Sequence, residues 1–224
     1  MIKKTNKEPA SEPEKLTREE EKIIDQTVKQ EVRESLEPTD GVVLTGGIDS
    51  AVTLSEVKRT SPRHKIQPIV LLGDDEQDNG ARMKAISILL DTLNIEEKPK
   101  TFNLSGKADK KKVLQYCYEN NISPLHFGAN IEEDGLNKRR QDMLEWQQLG
   151  SEAGVVISEP LHPLNKHVIV EMAKQAGLLD LTVKPSYSGQ DGRALEKIRE
   201  EAFKTAVVDD PHIEKEEEKI SSNE

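Results

Sequence analysis

Short apolar runs alternate along this chain with longer stretches whose apolar residues recur every three or four positions. The first such unit is the sharpest. Val42, Val43 and Leu44 make a run the size of a buried strand, a polar turn follows over residues 45–50, and Ala51, Val52, Leu54 and Val57 continue at helical spacing. Further strands are predicted over 66–72 (IQPIVLL), 101–104 and 155–157, with another inside 122–129 that ends at Gly128. Helices are predicted over 81–93, over 108–118 with Val113, Leu114 and Cys117 inward, over 138–149, over 166–175 closed by Gly177, and over 194–206. The stretch 73–79 reads as an acidic loop. This alternation predicts an α/β fold of three layers, a parallel sheet with helices on both faces. In such sheets ligands sit beyond the carboxyl ends of the strands, which places the turns at 45–50, 73–79 and 128–137 on one edge.

The flanks follow a different pattern. Residues 1–15 are rich in Lys, Glu, Pro and Ser and read as a disordered tail. Thr17 and Glu20 form a capping box for a helix within 16–38, with Ile24, Val28, Val32 and Leu36 along one stripe. That stripe packs on its own domain or on a second subunit, the latter giving a homodimer. Pro38-Thr39-Asp40-Gly41 breaks the helix, residues 39–207 form the domain proper, and 208–224 is an acidic tail without apolar period.

Composition narrows the partners. Of 224 residues 34% are hydrophobic and 33% charged, and the net charge is −10, which disfavours direct binding to nucleic acid. No run is long enough for a membrane span, and the first residues lack the apolar core of a signal peptide. Cys117 is the only cysteine, so neither an internal disulfide nor a four-cysteine zinc site can form, and a reducing, cytoplasmic setting is expected.

The turn after the first strand carries the chemistry. Thr45-Gly46-Gly47-Ile48-Asp49-Ser50 would aim unsatisfied N–H groups and a helix N-terminus at one spot, an arrangement that favours phosphate. Gly46 and Gly47 let a phosphate approach the backbone, and Thr45 and Ser50 add hydroxyls. Asp49 would orient a loop amide or help hold a magnesium ion. An ordinary strand-to-helix turn, with Asp or Ser as N-cap, is the plainer alternative. The spacing matches neither a Walker loop nor G-x-G-x-x-G.

TGGIDS resembles the S-G-G-x-D-S loop of the PP-loop ATP pyrophosphatase superfamily, with Thr45 in place of the leading Ser. Two further segments, FGANIEEDGLNKRRQDMLEW (127–146) and EPLHPLNKHVIVEMAKQAGLLDLTVKPSYSG (159–189), make the chain similar to the 7-cyano-7-deazaguanine synthases from about residue 41 to 203. The resemblance implies a Rossmann-like, adenine nucleotide alpha hydrolase-like domain that binds ATP and Mg2+. It implies an ATP-dependent carbon–nitrogen ligase that adenylates 7-carboxy-7-deazaguanine and uses ammonia to make the amide or nitrile. Nucleotide contacts would come from Leu44, Thr45, Gly46, Gly47, Ile48, Asp49, Ser50, Leu72 and Gly128. Asp49, Lys166 and Arg140 would be catalytic, Asp49 also the metal ligand, and Asn130, Asp134, Arg139 and Tyr187 would meet the substrate.

Two departures stand out. The family's four zinc cysteines are absent, with Ser186 at the first position, so no zinc is expected. The loop Gly73-Asp74-Asp75-Glu76-Gln77 lacks the family's Y-G-Q-R-H pattern; Asp74 and Asp75 are either further magnesium ligands or solvated. The other functions weighed are an NAD synthetase-like amide ligase, sharing GGIDSAV, a non-catalytic nucleotide-binding protein that kept the loop, and a tRNA-thiolating relative, which the single cysteine and the net charge of −10 disfavour. His126, His162, His167 and Trp146 are read as structural residues.

Overall fold

The computed structural model describes residues 37–72, 76–104, 106–130, 137–182, 192–208 and 210. All belong to the second of the chain's two compact units, Glu37–Glu224. The elements in chain order are β1 (Thr39–Leu44), α1 (Ile48–Thr60), β2 (Lys65–Leu72), α2 (Glu76–Thr92), β3 (Lys100–Asn103), α3 (Lys107–Glu119), β4 (Ile122–His126), α4 (Asn137–Ala153), β5 (Ile157–Ser158), α5 (Lys166–Gln175), a 3₁₀ turn (Leu179–Leu181) and α6 (Gly192–Thr205).

The strands form one parallel sheet in the order β3-β2-β1-β4-β5. β1 lies at its centre, buried from Asp40 onward. Because successive side chains in a strand face opposite sides, Val42 and Leu44 join one core and Val43 the other. The first core gathers Leu54 and Val57 of α1, Leu89 of α2, Ile169 and Val170 of α5, and Phe203 of α6. The second gathers Val113, Leu114 and Cys117 of α3 with Trp146 and Leu149 of α4. The result is a three-layer, Rossmann-like α/β fold.

Topology selects the functional edge. The chain steps from β1 to β2 to β3 with α1 and α2 on one face, then returns through α3 on the other face to β4. Right-handed crossovers require this change of face when the direction of travel reverses. The segments leaving β1 and β4 therefore lead to opposite layers, and in open α/β sheets ligands bind between strand ends that part in this way.

Helix starts differ from the sequence expectation at one place that matters. α2 begins at Glu76, so the stretch expected to be a loop over 73–79 is partly the first turn of a helix. The acidic tail also departs from expectation. Asp210 is buried and holds Arg199 with two hydrogen bonds, at 2.7 and 2.9 Å. The Arg199 guanidinium also stacks 4.9 Å from the Phe203 ring centroid.

On the opposite layer α3 and α4 are joined by Lys110. Its buried ammonium pairs with Asp142, lies 2.7 Å from Glu145 Oε2, and stands 5.3 Å above the ring of Trp146. Burial pulls the Lys110 pKa down, but the hydrogen bonds and charges of Asp142 and Glu145 outweigh it and raise it overall. The hydrogen bond from Lys110 lowers Glu145 in turn. Burial pushes the Cys117 thiol up to about 12, so the thiol stays protonated as a small apolar packing group. No helix among the described residues is long and apolar enough to cross a membrane.

Candidate functional site

The turn after β1 holds itself open. Gly46 has φ 79, a left-handed conformation that favours glycine. The Ser50 hydroxyl donates to Gly47 O at 2.9 Å and accepts from the Thr45 N–H and the Thr45 hydroxyl, both at 3.2 Å. Both hydroxyls are thereby committed to the shape of the turn. Gly47 caps α1 without any side-chain hydrogen bond. The first helical bond runs from Ala51 N–H to Gly47 O at 3.1 Å, so the N–H groups of Ile48, Asp49 and Ser50 have no partner within the helix. The side chains of Leu44 and Ile48 are in the core, so their part in any ligand contact would fall to the backbone.

β4 delivers the second wall. Its chain continues through Phe127, which tilts against Trp146 with ring centroids 5.1 Å apart, into Gly128. A Cβ at Gly128 would lie 2.7 Å from the Asp49 carbonyl carbon and 2.8 Å from Ser50 N. The β4 segment is thus pressed onto the first turn of α1, and only glycine permits it. Asn130, two residues on, is 1% exposed.

The third contribution comes from α5. Lys166 is its first residue and only 6% exposed. A cation there faces the positive end of the helix dipole, an unfavourable position without an anion. Asp49 is that anion: Lys166 Nζ pairs with Asp49 Oδ2. Asp49 Oδ1 is also buried and has no hydrogen-bond partner. Neither Gly47 nor Asn165 caps its helix with a side chain, so two helix N-termini and a lysine meet around one carboxylate. Such a setting binds oxyanions.

Other expected site residues lie farther out. Leu72 ends β2 half-buried, its carbonyl accepting from Leu104 N–H at 2.8 Å. Arg139 is exposed and Arg140 half-buried on the first turn of α4, in the layer opposite α1 and α5. Asp134 and Tyr187 lie outside the described residues, as do Asp74 and Asp75. Among the described residues no group of three or more His, Cys, Asp or Glu is arranged to hold a metal.

One polar cluster had no signal in the sequence. Buried Asp40 accepts hydrogen bonds from His64 Nδ1 at 2.9 Å and His126 Nε2 at 3.2 Å. His126 Nδ1 is buried without a partner. A groove of about 660 Å³ opens at the far edge, between the carboxyl ends of α3 and α4, lined by Leu114, Tyr118, Leu149 and Gly154. Lys111, Gln115, Ser151 and Glu152 also line it, and it lies away from the carboxyl ends of β1 and β4.

No family model matches the chain, and no curated protein matches it. Solved structures do. The U34-tRNA thiolase NcsA of Methanococcus maripaludis, with its 4Fe–4S cluster, aligns with TM-score 0.51 and 17% identity over 83% of this chain and 75% of that one. NMN synthetase of Francisella tularensis aligns with TM-score 0.49 and 20% identity over 84% and 87%. The NH3-dependent NAD synthetase of Campylobacter jejuni gives 0.42 and 17% over 83% and 85%. The first of these supports the fold. Its cluster has no counterpart ligand set here, because Cys117 is the one cysteine and is buried.

Proposed function

We propose that this chain is an ATP-dependent ligase that adenylates the carboxylate of a 7-deazaguanine and delivers ammonia to it. The observation that carries the reading is the meeting at Asp49 of three distant segments, each matching part of one family's pattern. They are the TGGIDS turn, Gly128 of the second segment and Lys166 of the third.

In this reading the triphosphate lies against the unpartnered N–H groups of Ile48, Asp49 and Ser50. A substrate carboxylate oxygen attacks the α-phosphorus, the bond from that phosphorus to the bridging oxygen breaks, and pyrophosphate leaves. Ammonia then adds to the acyl carbon, and AMP departs with its oxygen to leave the amide. Repetition on the amide oxygen, with loss of AMP and protons, gives the nitrile. The protein's share is placement and stabilisation of charge on the departing pyrophosphate, through fixed N–H groups and the Lys166 ammonium. Asp49 Oδ1, buried and unpartnered, fits a ligand to Mg2+, which would neutralise phosphate charge when bound. Arg139, Arg140 and Asn130 belong to the segments that follow β4 and are assigned to the substrate side in this reading, where Arg140 would pair with its carboxylate.

The test is mass spectrometry of 7-carboxy-7-deazaguanine incubated with the full chain, ATP, Mg2+ and ammonium, with pyrophosphate measured in parallel. The expected result is the amide or nitrile, with pyrophosphate released only when both co-substrates are present. Nucleotide binding by folded protein without either product would reduce the reading to a binding protein.

A further inference from the structure

We infer that Asp40 and His126 are positioning residues: their hydrogen bond fixes an extra residue in β4, and that residue turns Gly128 toward the nucleotide site. The inference rests on the nucleotide reading above and adds the device that sets the second wall. β4 does not run in step with β1. Thr39 pairs with Ile122 and Gly41 with Leu125, so two steps along β1 are matched by three along β4. Such a bulge reverses the faces of all later side chains, as a one-residue slip does. The cores show the reversal. Ile122 and Leu125 both join the second core, although residues three apart in a regular strand face opposite ways. Phe127 follows Leu125 into that core. Without the extra residue Gly128 would share the face of Ile122, toward α3 and α4. With it, Gly128 faces Asp49 and Ser50 of α1.

A bulge in a central strand disrupts the ladder of backbone hydrogen bonds, and here side chains replace it. Pro124 has no N–H to give. On the β5 side, the Ser123 hydroxyl accepts from the Val156 N–H at 3.1 Å. On the β1 side, His126 Nε2 donates to Asp40 Oδ1 at 3.2 Å, and the two side chains are only 13% and 3% exposed. Asp40 shares a face with Val42. The bond forms only if His126 faces the same way, which requires the extra residue. Gly41 completes the fit, since a Cβ there would lie 2.6 Å from Ile122 Cγ2 and 2.9 Å from Leu125 Cδ1. In a register without the bulge His126 would point into the second core. Asp40 would then be a buried carboxylate served by His64 alone, whose side chain is half-exposed. The pair thus penalises the wrong register, and Gly128, two residues after His126, inherits the right one.

The experiment compares His126→Leu, His126→Gln and His64→Ala with wild type in the full chain. Each is titrated with Mg-ATP by calorimetry and recorded by near-ultraviolet circular dichroism, with far-ultraviolet spectra to confirm folding. Trp146 is the only tryptophan and rests against Phe127, so its near-ultraviolet band reports the register without any ligand. His126→Leu should bind Mg-ATP at least about tenfold more weakly and alter the Trp146 band. His126→Gln, whose amide N–H can still donate to Asp40, should restore the band and bring the affinity within about threefold of wild type. His64→Ala should change neither, because His64 bonds the other carboxylate oxygen. A role in stability alone would lower the melting temperature of His126→Leu and leave its affinity and band unchanged, and that result overturns the inference. So does failure of His126→Gln to restore them, or a loss in His64→Ala equal to that in His126→Leu. If His126→Leu does not fold, His126→Gln decides: wild-type affinity and band sustain the inference, and any other result overturns it. Folded wild type that binds no Mg-ATP overturns the nucleotide reading, and the Trp146 band and its rescue then decide whether the pair sets the register.

Discussion

Gly128 is the residue on which the site's construction turns, because its missing side chain is what lets β4 and α1 meet. Gly128→Ala would place a methyl group 2.7 Å from backbone, and backbone cannot rotate away as a side-chain tip can. The expected outcome is a stability loss of about 1–3 kcal/mol by urea titration, together with a loss of nucleotide affinity of at least about tenfold by calorimetry. An alanine variant that binds nucleotide normally would show that the contact is incidental. The composition of the neighbouring turn is legible in sequence, although two glycines between a strand and a helix also fit an ordinary turn and gain their meaning from the segments that resemble the family. The contact itself is not legible. A glycine at 128 looks like any loop glycine until the fold brings Asp49 beneath it. The same holds for Asp40: nothing local distinguishes a carboxylate that receives two imidazoles from one that merely breaks a helix.

Elements were easier to read than their edges. Periodicity finds a helix because its inner face must be apolar for several turns, and all six helices expected in the domain are present. The start of α2 was misjudged because its first turn is polar and has no apolar period to report. Polar residues also bind α3 to α4, where Lys110 sits beneath two carboxylates and above Trp146. The pair is asymmetric in burial: Lys110 side-chain exposure is 5%, while Asp142 is at 55%. Removing the cation therefore leaves carboxylates that water can solvate, whereas removing both carboxylates strands a buried ammonium. Lys110→Met should cost no more than about 1 kcal/mol, and Asp142→Asn with Glu145→Gln should cost more than Lys110→Met because Lys110 loses both carboxylates, both read by Trp146 fluorescence in urea. The pH dependence has a definite sign. Glu145 is lowered by Lys110 on folding, so its contribution is present above the ordinary glutamate pKa of about 4.3 and lost as pH falls through the folded value. Lys110 is raised, so its contribution holds below its ordinary value and is lost at more alkaline pH. Lys110→Met should flatten the acid limb of the stability curve; an unchanged acid limb would sink this account.

At the scale of the whole molecule, the described structure closes through an ion pair near the end of the chain. Arg199 and Asp210 each have side chains only 4% exposed. Asp210→Asn would leave the guanidinium buried without its charge partner, and a loss of about 3 kcal/mol is expected, seen as a fall of several degrees in melting temperature. A change within half a degree would mean that Arg199 finds water instead. Reading residues beyond 208 as solvated missed this contact, because an acidic segment with one buried member has the same composition as one with none.

The alternation of strand and helix, the division into layers and the turn with free N–H groups were all set by the amino-acid order alone. Each depends on neighbours within a few positions, where backbone geometry imposes a period or demands a glycine. Tertiary structure alone decided that β1 and β4 would part to opposite faces, that Gly128 would bear on Asp49, and that Asp49 would hold Lys166. Those contacts join residues far apart in the chain, and a single charged side chain carries no mark of the partner that folding will bring to it.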